Sequence, residues 1–294
     1  MIHLRPEPLR PYEQAVADLG TDQLLPIGGR RIHVRRRGRG PALLLLHGLA
    51  ASSYSFRELY PRLEGEFELV GVDLDGFGLT ERPRDPAAYR IERQAEVLAQ
   101  VLDRLGIASA HALGHSYGAA VAATLAKQQP GRLGRLVLVS PAASFDPLPW
   151  YLRIRPGQEA LYRLARGLIS DPDRYRRVAG RAFHRTEAFP ENVAETYRSH
   201  LLVEGLRETW YGFLRQMRDP RFPGSAFDGL HHPVLVLAGG ADRIVPPEKC
   251  EALVRRLPAA SLEILDGCGH SAPEEQPDEV AAALRRFLGT HAPP

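Results

Sequence analysis

The stretch ALGHSYGAAVA, residues 112–122, runs from small and apolar residues into a Gly-His-Ser-Tyr-Gly pentapeptide and leaves it through an alanine-rich run. The pattern G-x-S-x-G is typical of a sharp turn between a strand and a helix that exposes a serine. With 27 glycines in 294 residues, the pattern arises by chance in roughly one of ten such chains. Ser116 is therefore either a catalytic nucleophile or a serine in a glycine turn, and the rest of the chain must decide.

The overall composition is ordinary for a globular protein. The chain has 294 residues, of which 44% are hydrophobic and 25% charged, so it can form one large domain or one domain with an inserted subdomain. The longest purely aliphatic run is Leu43–Leu46, too short for a membrane span, and no apolar signal segment is visible near the N-terminus. Two cysteines, without metal-ligand spacing, predict neither a disulfide framework nor a metal site. We therefore expect a cytoplasmic protein.

The charge balance raises the question of a nucleic-acid partner. The net charge is +3 and the isoelectric point is about 9.0. The densest basic cluster, RRIHVRRRGRG at residues 30–40, has the composition of a phosphate-binding segment. However, Ile32 and Val34 alternate with Arg31 and Arg35, which predicts a half-buried strand whose arginines face solvent. We therefore expect no nucleic-acid partner.

Short apolar segments alternate with helical patterns along most of the chain, which predicts an α/β protein. The expected architecture is a doubly wound, mostly parallel sheet that begins with an antiparallel hairpin closed by Gly28-Gly29. The predicted strands are residues 22–27, 30–36, 42–46, 68–72, 110–113, 136–139, 234–238 and 261–265. A helix is expected around 53–64, and apolar residues at helical spacing predict another at 91–105, ended by Gly106.

Between Ser140 and His232 this alternation stops. The segment has helical windows near 158–169, 173–183, 190–205 and 206–218, joined by proline-rich stretches, and shows no convincing strand. A helical insertion after the sixth strand is the natural interpretation. The predicted domains are an α/β core at 22–140 and 232–294, the helical insertion at 141–231, and an N-terminal extension at 1–21.

The surroundings of Ser116 meet the requirements of a nucleophile. A predicted strand precedes it, Gly114 and Gly118 flank it, and an alanine-rich helix follows, so that a backbone N–H and the positive helix end face developing negative charge. A serine also needs a base and an acid that orients the base. Asp242, in GGADRIVP, and His270, in DGCGHSAPEEQP, both follow predicted strands and occur in the order Ser, Asp, His.

Together these motifs resemble those of the α/β-hydrolase family, over nearly the whole chain beyond about residue 22. The matching residues are His47-Gly48, Asp73 with Gly76 and Gly78, GHSYG at 114–118, Asp242 in GADRIVP and His270 in GCGHSAPEEQP. The resemblance implies that Ser116 is the nucleophile, His270 the base and Asp242 the orienting acid. It also implies that the helical insertion is a cap over the site.

The same matching implies an oxyanion hole made of two backbone N–H groups. One belongs to Tyr117, directly after the nucleophile, and the other to Leu49 in LLLLHGLAASS, behind the His-Gly pair. Loss of one such donor typically raises a reaction barrier by about 2.7–4 kcal/mol. We interpret His47 as a structural hydrogen-bonding group beneath this loop. We interpret His115 as a packing or lining residue, not a base.

Other residues compete for these roles. Asp146, after the sixth strand, is a rival acid, because some hydrolases place the acid there, but Asp242 is favoured. The predicted substrate-binding residues are the cap aromatics Trp150, Tyr151, Trp210, Tyr211 and Phe213. These aromatics suggest an apolar pocket, although they would equally form the cap's own core.

A serine at the strand-to-helix turn of residues 114–118, called the elbow below, favours acyl transfer to water. The predicted function is a carboxylesterase or lactonase that acts on a small-molecule ester or lactone, with no cofactor, as a monomer or homodimer. A second hypothesis is carbon–carbon bond hydrolysis of the meta-cleavage type. Family members with that activity usually carry an aromatic residue after the catalytic histidine, where this chain has Ser271. A third hypothesis, of another class, is a ligand receptor or non-catalytic protein that keeps the hydrolase fold.

Overall fold

A computed structural model describes residues 6–144, 149 and 153–289 of the chain. Within these residues, eight strands form one sheet in the order β1-β2-β4-β3-β5-β6-β7-β8. The strands are β1 Gln23–Ile27, β2 Arg30–Arg37, β3 Ala42–Leu46, β4 Glu68–Val72, β5 Ala110–His115, β6 Leu133–Val139, β7 Val234–Gly239 and β8 Ala260–Leu265. β2 pairs antiparallel with β1 and β4, whereas the other neighbouring strands pair in parallel. The mostly parallel sheet predicted from the sequence is confirmed.

Helices cover both faces of this sheet. They are α1 Tyr12–Ala15, α2 Tyr60–Leu63, α3 Ile91–Arg104, α4 Tyr117–Gln128, α5 Arg155–Ser170, α6 Pro172–Ala179, α7 Glu191–Leu201, α8 Leu206–Gln216, α9 Pro247–Val254, α10 Ala272–Glu275 and α11 Pro277–Leu288. The apolar sides of α3, α4 and α9 belong to the hydrophobic cluster on one face, and those of α2 and α11 to the cluster on the other. Along β3, Leu44 and Leu46 join the first cluster and Leu43 and Leu45 the second. Burial on both faces is why this strand is a continuous apolar run.

The helices α5 to α8 lie between β6 and β7 in the chain and form the helical cap after the sixth strand. Their apolar residues make a hydrophobic cluster of their own that includes Tyr162, Tyr175, Phe189 and Tyr197. The four helices correspond to the four predicted helical windows. The cap is therefore a packed unit with its own small core.

One predicted helix, around 53–64, is broken in the structure. A 3-10 turn at Ser53–Phe56 is followed by the single-turn helix α2. Ser52 caps the first turn by accepting the N–H of Tyr54 at 3.4 Å. Pro61 lacks the N–H that would bond back to Arg57, so it cannot continue a helix begun before that residue.

The arginines of β2 are neutralised by carboxylates of this same chain. Arg31 pairs with Glu13 at 2.7 Å, Arg35 pairs with Asp22 at 2.8 Å, and Arg36 pairs with Glu68. Ile32 and Val34 are buried, as the alternation predicts. No helix of the described residues is both long and apolar enough to cross a bilayer.

Candidate active site

Ser116 occupies a strained turn between β5 and α4. Its backbone has φ 52° and ψ −113°, a conformation that residues with a side chain rarely adopt. The turn is held by the Ser116 N–H, which donates to the carbonyl of Val139 at 2.9 Å. The Ser116 carbonyl in turn accepts the N–H of Ala142 at 3.1 Å. The surrounding hydrogen bonds therefore stabilise a conformation that carries the serine out of the strand.

The two glycines of the pentapeptide are required by close backbone contacts. A Cβ on Gly114 would lie 2.6 Å from the Cα of Ala119. A Cβ on Gly118 would lie 2.2 Å from the carbonyl oxygen of Leu46, on the neighbouring strand β3. The elbow thus packs against β3 at a distance that only glycine permits.

His270 and Asp242 form a buried pair at the ends of neighbouring strands. The Nδ1 of His270 lies 2.7 Å from the Oδ2 of Asp242. The Oδ1 of Asp242 accepts the N–H groups of Ile244 at 2.7 Å and Val245 at 2.9 Å. Burial raises the pKa of Asp242, but the hydrogen bond and charge of His270 and the two backbone N–H groups outweigh it and lower the pKa overall. An ionised Asp242 holds the proton on Nδ1, so Nε2 of His270 is a proton acceptor.

The backbone of His270 is held from several sides. Its N–H donates to the carbonyl of Ala182, in the cap, at 2.6 Å. Its carbonyl accepts from Nε2 of His115 at 2.9 Å. These contacts link the histidine loop to the cap and to the serine elbow.

Glu275 adds a second link between that loop and the cap. One carboxylate oxygen accepts the N–H groups of Gly269 at 3.0 Å and Ser271 at 3.2 Å, on either side of His270. The other oxygen accepts the N–H of His184 in the cap at 2.7 Å. Glu275 was not predicted from the sequence, because a carboxylate that binds backbone groups leaves no pattern of paired side chains.

The loop after β3 is braced by His47. Its Nδ1 donates to the carbonyl of Gly48 at 2.7 Å, and its Nε2 accepts the N–H of Leu74 at 3.0 Å. Burial lowers the pKa of His47, which keeps the ring neutral and suited to both bonds. These contacts agree with a structural interpretation of His47. Leu49, in the same loop, lies on the cavity wall with 40% of its surface exposed.

Tyr117 and His115 flank the serine in different environments. Tyr117 begins α4, so its N–H belongs to the first helical turn, whose donors have no partner within the helix. The His115 ring lies 4.9 Å from the His270 ring, centroid to centroid, and contributes to the cavity wall. Burial, with the neighbouring His270, lowers the pKa of His115 to about 3, so this ring stays neutral. His115 is therefore poorly suited to act as a base.

A cavity of about 440 Å³ lies between the sheet and the cap. Ser116 and His270 are on its wall together with Leu49, and the cap contributes Leu168, Ile169 and Phe183. Most of the other lining residues are apolar as well. The predicted nucleophile and base therefore face one largely hydrophobic cavity.

The predicted cap aromatics are placed differently. Trp210 lines this cavity. Tyr211 does not line it; its hydroxyl lies 2.5 Å from a carboxylate oxygen of Glu159 at the cap surface. Phe213 packs edge-on against Tyr117 beneath the cap, with centroids 5.5 Å apart, and lies against the core of the sheet domain. The lining aromatics that the sequence analysis did not single out are Tyr175, Phe183, Phe189 and Tyr197.

Three residues named in the sequence analysis lie outside the described part of the chain. They are Trp150 and Tyr151, predicted to bind substrate, and the rival acid Asp146.

Within the described residues, no group of three or more His, Cys, Asp or Glu side chains could hold a metal ion.

Asp73, a polar residue of the motif loops, has a structural environment: it accepts the N–H groups of Ser53 at 2.6 Å and Leu79 at 2.8 Å. Cys268 is buried, and burial raises the pKa of its thiol to about 12. Such a thiol is unreactive at neutral pH.

Comparisons with known proteins cover most of the chain. The family model for the alpha/beta hydrolase fold matches residues 41–277. A 2-hydroxy-6-oxononadienedioate/2-hydroxy-6-oxononatrienedioate hydrolase of Paraburkholderia phymatum is 28% identical over 274 residues, 88% of this chain and 91% of that protein.

Two solved structures are similar over nearly their full length. The 2-hydroxy-6-oxo-6-phenylhexa-2,4-dienoate hydrolase from Rhodococcus sp. strain RHA1 is 26% identical with a TM-score of 0.75, covering 91% of this chain and 98% of that chain. A thermophilic esterase from Thermogutta terrifontis is 26% identical with a TM-score of 0.73, covering 92% of this chain and 98% of that chain. The similar proteins thus include enzymes named for dienoate substrates and one named as an esterase.

Proposed function

This chain belongs to the α/β-hydrolase fold family, and we propose that it is a serine hydrolase that cleaves carboxylic esters or lactones through an acyl-enzyme on Ser116. One observation carries the proposal. Ser116, on its strained elbow, and His270, which is paired with Asp242, both border the same apolar cavity. A nucleophile and a base on one substrate cavity, with an acid that orients the base, are what acyl transfer requires.

In the proposed reaction, Ser116 Oγ attacks the substrate carbonyl while Nε2 of His270 takes the hydroxyl proton. Asp242 stabilises the imidazolium that forms. The backbone N–H groups of Leu49 and Tyr117 donate to the negative oxygen of the tetrahedral intermediate. His270 then gives the proton to the departing alkoxide. A water molecule, deprotonated by His270, cleaves the acyl-enzyme and releases the acid.

We assign residues 22–140 and 232–294 to the catalytic core and 141–231 to the cap that sets specificity, with 1–21 as an N-terminal extension. The cap supplies much of the cavity wall, including Ile169, Phe183 and Trp210. An apolar wall of this kind suits an uncharged acyl or aryl group of medium size.

Carbon–carbon bond hydrolysis is the second candidate, because two of the relatives are named for dienoate substrates. A dienoate carries a carboxylate, which needs a cation or several hydrogen-bond donors when it is buried. Among the described residues that line the cavity there is no Arg or Lys. His270 is also followed by Ser271 and not by an aromatic residue. Both observations favour ester hydrolysis.

A receptor that keeps the fold is the candidate of another class. Burst kinetics with an activated ester separate it from an enzyme. We expect a rapid burst of one equivalent of nitrophenol followed by steady turnover. A single slow turnover, or none, would support the receptor instead.

The proposal is tested by a panel of 4-nitrophenyl esters with acyl chains of increasing length, assayed with the wild type and Ser116→Ala. The wild type should hydrolyse at least one ester. Ser116→Ala should lose that activity while its circular dichroism spectrum and melting temperature stay close to those of the wild type. Substantial turnover in a folded Ser116→Ala variant would overturn the proposal.

A further inference from the structure

Glu274 places a carboxylate on the wall of the catalytic cavity, and no role is predicted for it from the sequence. We propose that this carboxylate excludes negatively charged substrates, so that the protein acts on uncharged esters and rejects acids of the same shape. This inference rests on the proposed ester hydrolase function and names the specificity residue of the same site.

Glu274 is held by two side chains, Tyr197 and Arg57, from different parts of the chain. Its Oε1 accepts the hydroxyl of Tyr197, on α7 of the cap, at 3.0 Å. The same hydroxyl lies 2.9 Å from Oγ of Ser55, in the 3-10 turn after the β3 loop. The Oε2 of Glu274 pairs with Nη1 of Arg57. The carboxylate therefore has little freedom to turn away from an incoming group.

The two members of this ion pair face different environments. Glu274 contributes to the cavity wall, together with Tyr197 and Ser55, whereas Arg57 does not line this cavity. The side chains are 6% and 17% exposed, respectively. A bound substrate therefore meets the negative end of the pair, with the guanidinium behind it.

The cavity wall offers a substrate carboxylate no compensating charge. Its described lining residues include no Arg or Lys, and the ring of His115 is neutral because burial lowers its pKa to about 3. A carboxylate bound there would lose its hydration and approach Glu274 without a cation to pair with. For an amide of the same shape, only the smaller free energy of burying a neutral polar group opposes binding. An unpaired like charge is a common means of rejecting a competing ligand.

The hydrogen-bonding pattern also makes a conservative variant informative. In Glu274→Gln, the amide oxygen still accepts from Tyr197 or from Arg57, so the side chain keeps part of its support. The variant removes one negative charge and leaves Arg57, behind the wall, with only the longer ion pair to Glu58 at 3.7 Å. The kcat/KM of a substrate that carries a carboxylate should then rise relative to that of its neutral counterpart.

The experiment compares two esters that differ only in charge: the mono-4-nitrophenyl ester of adipic acid and its half-amide, in which the free carboxylate is a primary amide. Burial raises the pKa of Glu274 despite the neighbouring Arg57, so the value of kcat/KM is measured for both esters at pH 8, which favours the ionised carboxylate. The readout is the ratio of the acid ester to the amide ester for the wild type, Glu274→Gln and Glu96→Gln. Glu96 lies on the exposed side of α3, where it pairs with Arg93. Glu96→Gln therefore changes the net charge of the protein by the same amount as Glu274→Gln, but at a site away from the cavity.

We expect the wild type to hydrolyse the acid ester about tenfold or more less efficiently than the amide ester, since a factor of ten requires only modest electrostatic discrimination. The ratio should rise about tenfold in Glu274→Gln and stay unchanged in Glu96→Gln. Equal wild-type efficiency for the two esters would overturn the charge filter, even if Glu274→Gln did not fold. A folded Glu274→Gln variant with the wild-type ratio would also overturn it. If the wild type hydrolyses none of these esters, neither the two adipate esters nor any ester of the panel, that result would instead contradict the hydrolase function itself.

Discussion

The elbow around Ser116 depends on two glycines that serve different neighbours. Gly114 lets the start of α4 fold back on β5, and Gly118 lets α4 approach β3. The resulting turn places a non-glycine residue at φ 52°. Strain of that kind costs of order 1–3 kcal/mol and persists only where the surroundings enforce it. The packing of the elbow is therefore part of what presents the serine.

Gly118→Ala should destabilise the protein, because its Cβ would overlap the carbonyl oxygen of Leu46 at 2.2 Å. Relief requires α4 to shift away from the sheet, at a cost of about 1–3 kcal/mol. Urea denaturation measures this change in the free energy of unfolding. Gly131→Ala is the matched control, since a Cβ there meets nothing within 4 Å. Equal stability of the two variants would contradict the packing described for the elbow.

Glu275 is expected to position His270 without contacting substrate. Glu275→Ala removes the acceptor for the N–H groups of Gly269 and Ser271. We expect kcat to fall about tenfold or more, because small displacements of a general base are costly, while KM changes little. Glu275→Gln retains one acceptor oxygen and should recover part of the loss. Glu279→Ala, an exposed neighbour on α11, is the control. A Glu275→Ala variant that changes only the melting temperature would reduce the residue to a structural role.

At this scale, the sequence predicted which side chains come together at strand ends, but not which helix side chains face the cavity. Asp242 and His270 follow neighbouring parallel strands, and the geometry of such a sheet brings their side chains together. The face that a cap helix turns to the cavity depends on packing that the sequence does not specify. Thus α8 presents Trp210 to the cavity but directs Phe213 towards Tyr117 and Tyr211 towards Glu159.

The N-terminal segment before β1 connects the cap to the core. Arg10 donates its N–H to Leu202 at 2.8 Å and accepts the N–H of Glu204 at 3.0 Å, next to α7. Glu7 donates its N–H to the hydroxyl of Ser170, at the end of α5, at 2.9 Å. Tyr12 donates its hydroxyl to the carbonyl of Leu79, in the core, at 3.1 Å. The segment therefore ties two cap helices to the loop after β4.

Removal of residues 1–10 should loosen the cap without unfolding the sheet. We expect faster amide hydrogen exchange in α5 and α7, because those helices lose hydrogen bonds to Glu7 and Arg10, and a higher KM for esters. Exchange in β3 and β5 should stay as in the wild type. Glu13→Gln, which weakens only an exposed pair with Arg31, should leave exchange in the cap unchanged. Unaltered exchange in both cap helices after the deletion would show that this segment does not hold the cap.

Elements with strong apolar periodicity were predicted closely, such as α3, expected at 91–105 and observed at Ile91–Arg104. The segment 53–64 was not. Its apolar residues Phe56, Leu59 and Leu63 have helical spacing, yet Pro61 and the Ser52 cap divide it into two short turns. The proline and the local hydrogen bonds therefore outweigh the helical spacing of the apolar residues.

Across the whole molecule, a buried charge cluster joins the first hairpin to the loop after β4. His33, on β2, pairs with Asp73 at 2.8 Å and with Asp22 at 3.3 Å. Burial alone would lower the pKa of His33, but the two carboxylates outweigh it and raise the pKa to about 9. Burial likewise opposes ionisation of Asp73, yet His33 holds the pKa of that carboxyl well below its usual range.

Stability should therefore fall as the pH rises from 6.5 to about 9. A histidine whose pKa is higher when folded contributes its full stabilisation below its unfolded pKa of 6.5, and that contribution is lost as pH passes the folded value of about 9. Melting temperatures across this range should decline in the wild type by several degrees. His33→Gln should be less stable at pH 6.5 and show a flatter decline. Parallel curves for the two proteins would exclude His33 as the source.

The central claim is that Ser116 is the nucleophile of a serine hydrolase. The most direct measurement is the reaction of the folded protein with a fluorophosphonate, followed by intact mass and peptide mapping. We predict one adduct per chain, located on Ser116 and absent from Ser116→Ala. The adduct should form much more slowly in His270→Ala, because the base is missing. An adduct on another residue, or no adduct on a folded protein that still hydrolyses esters, would contradict the claim.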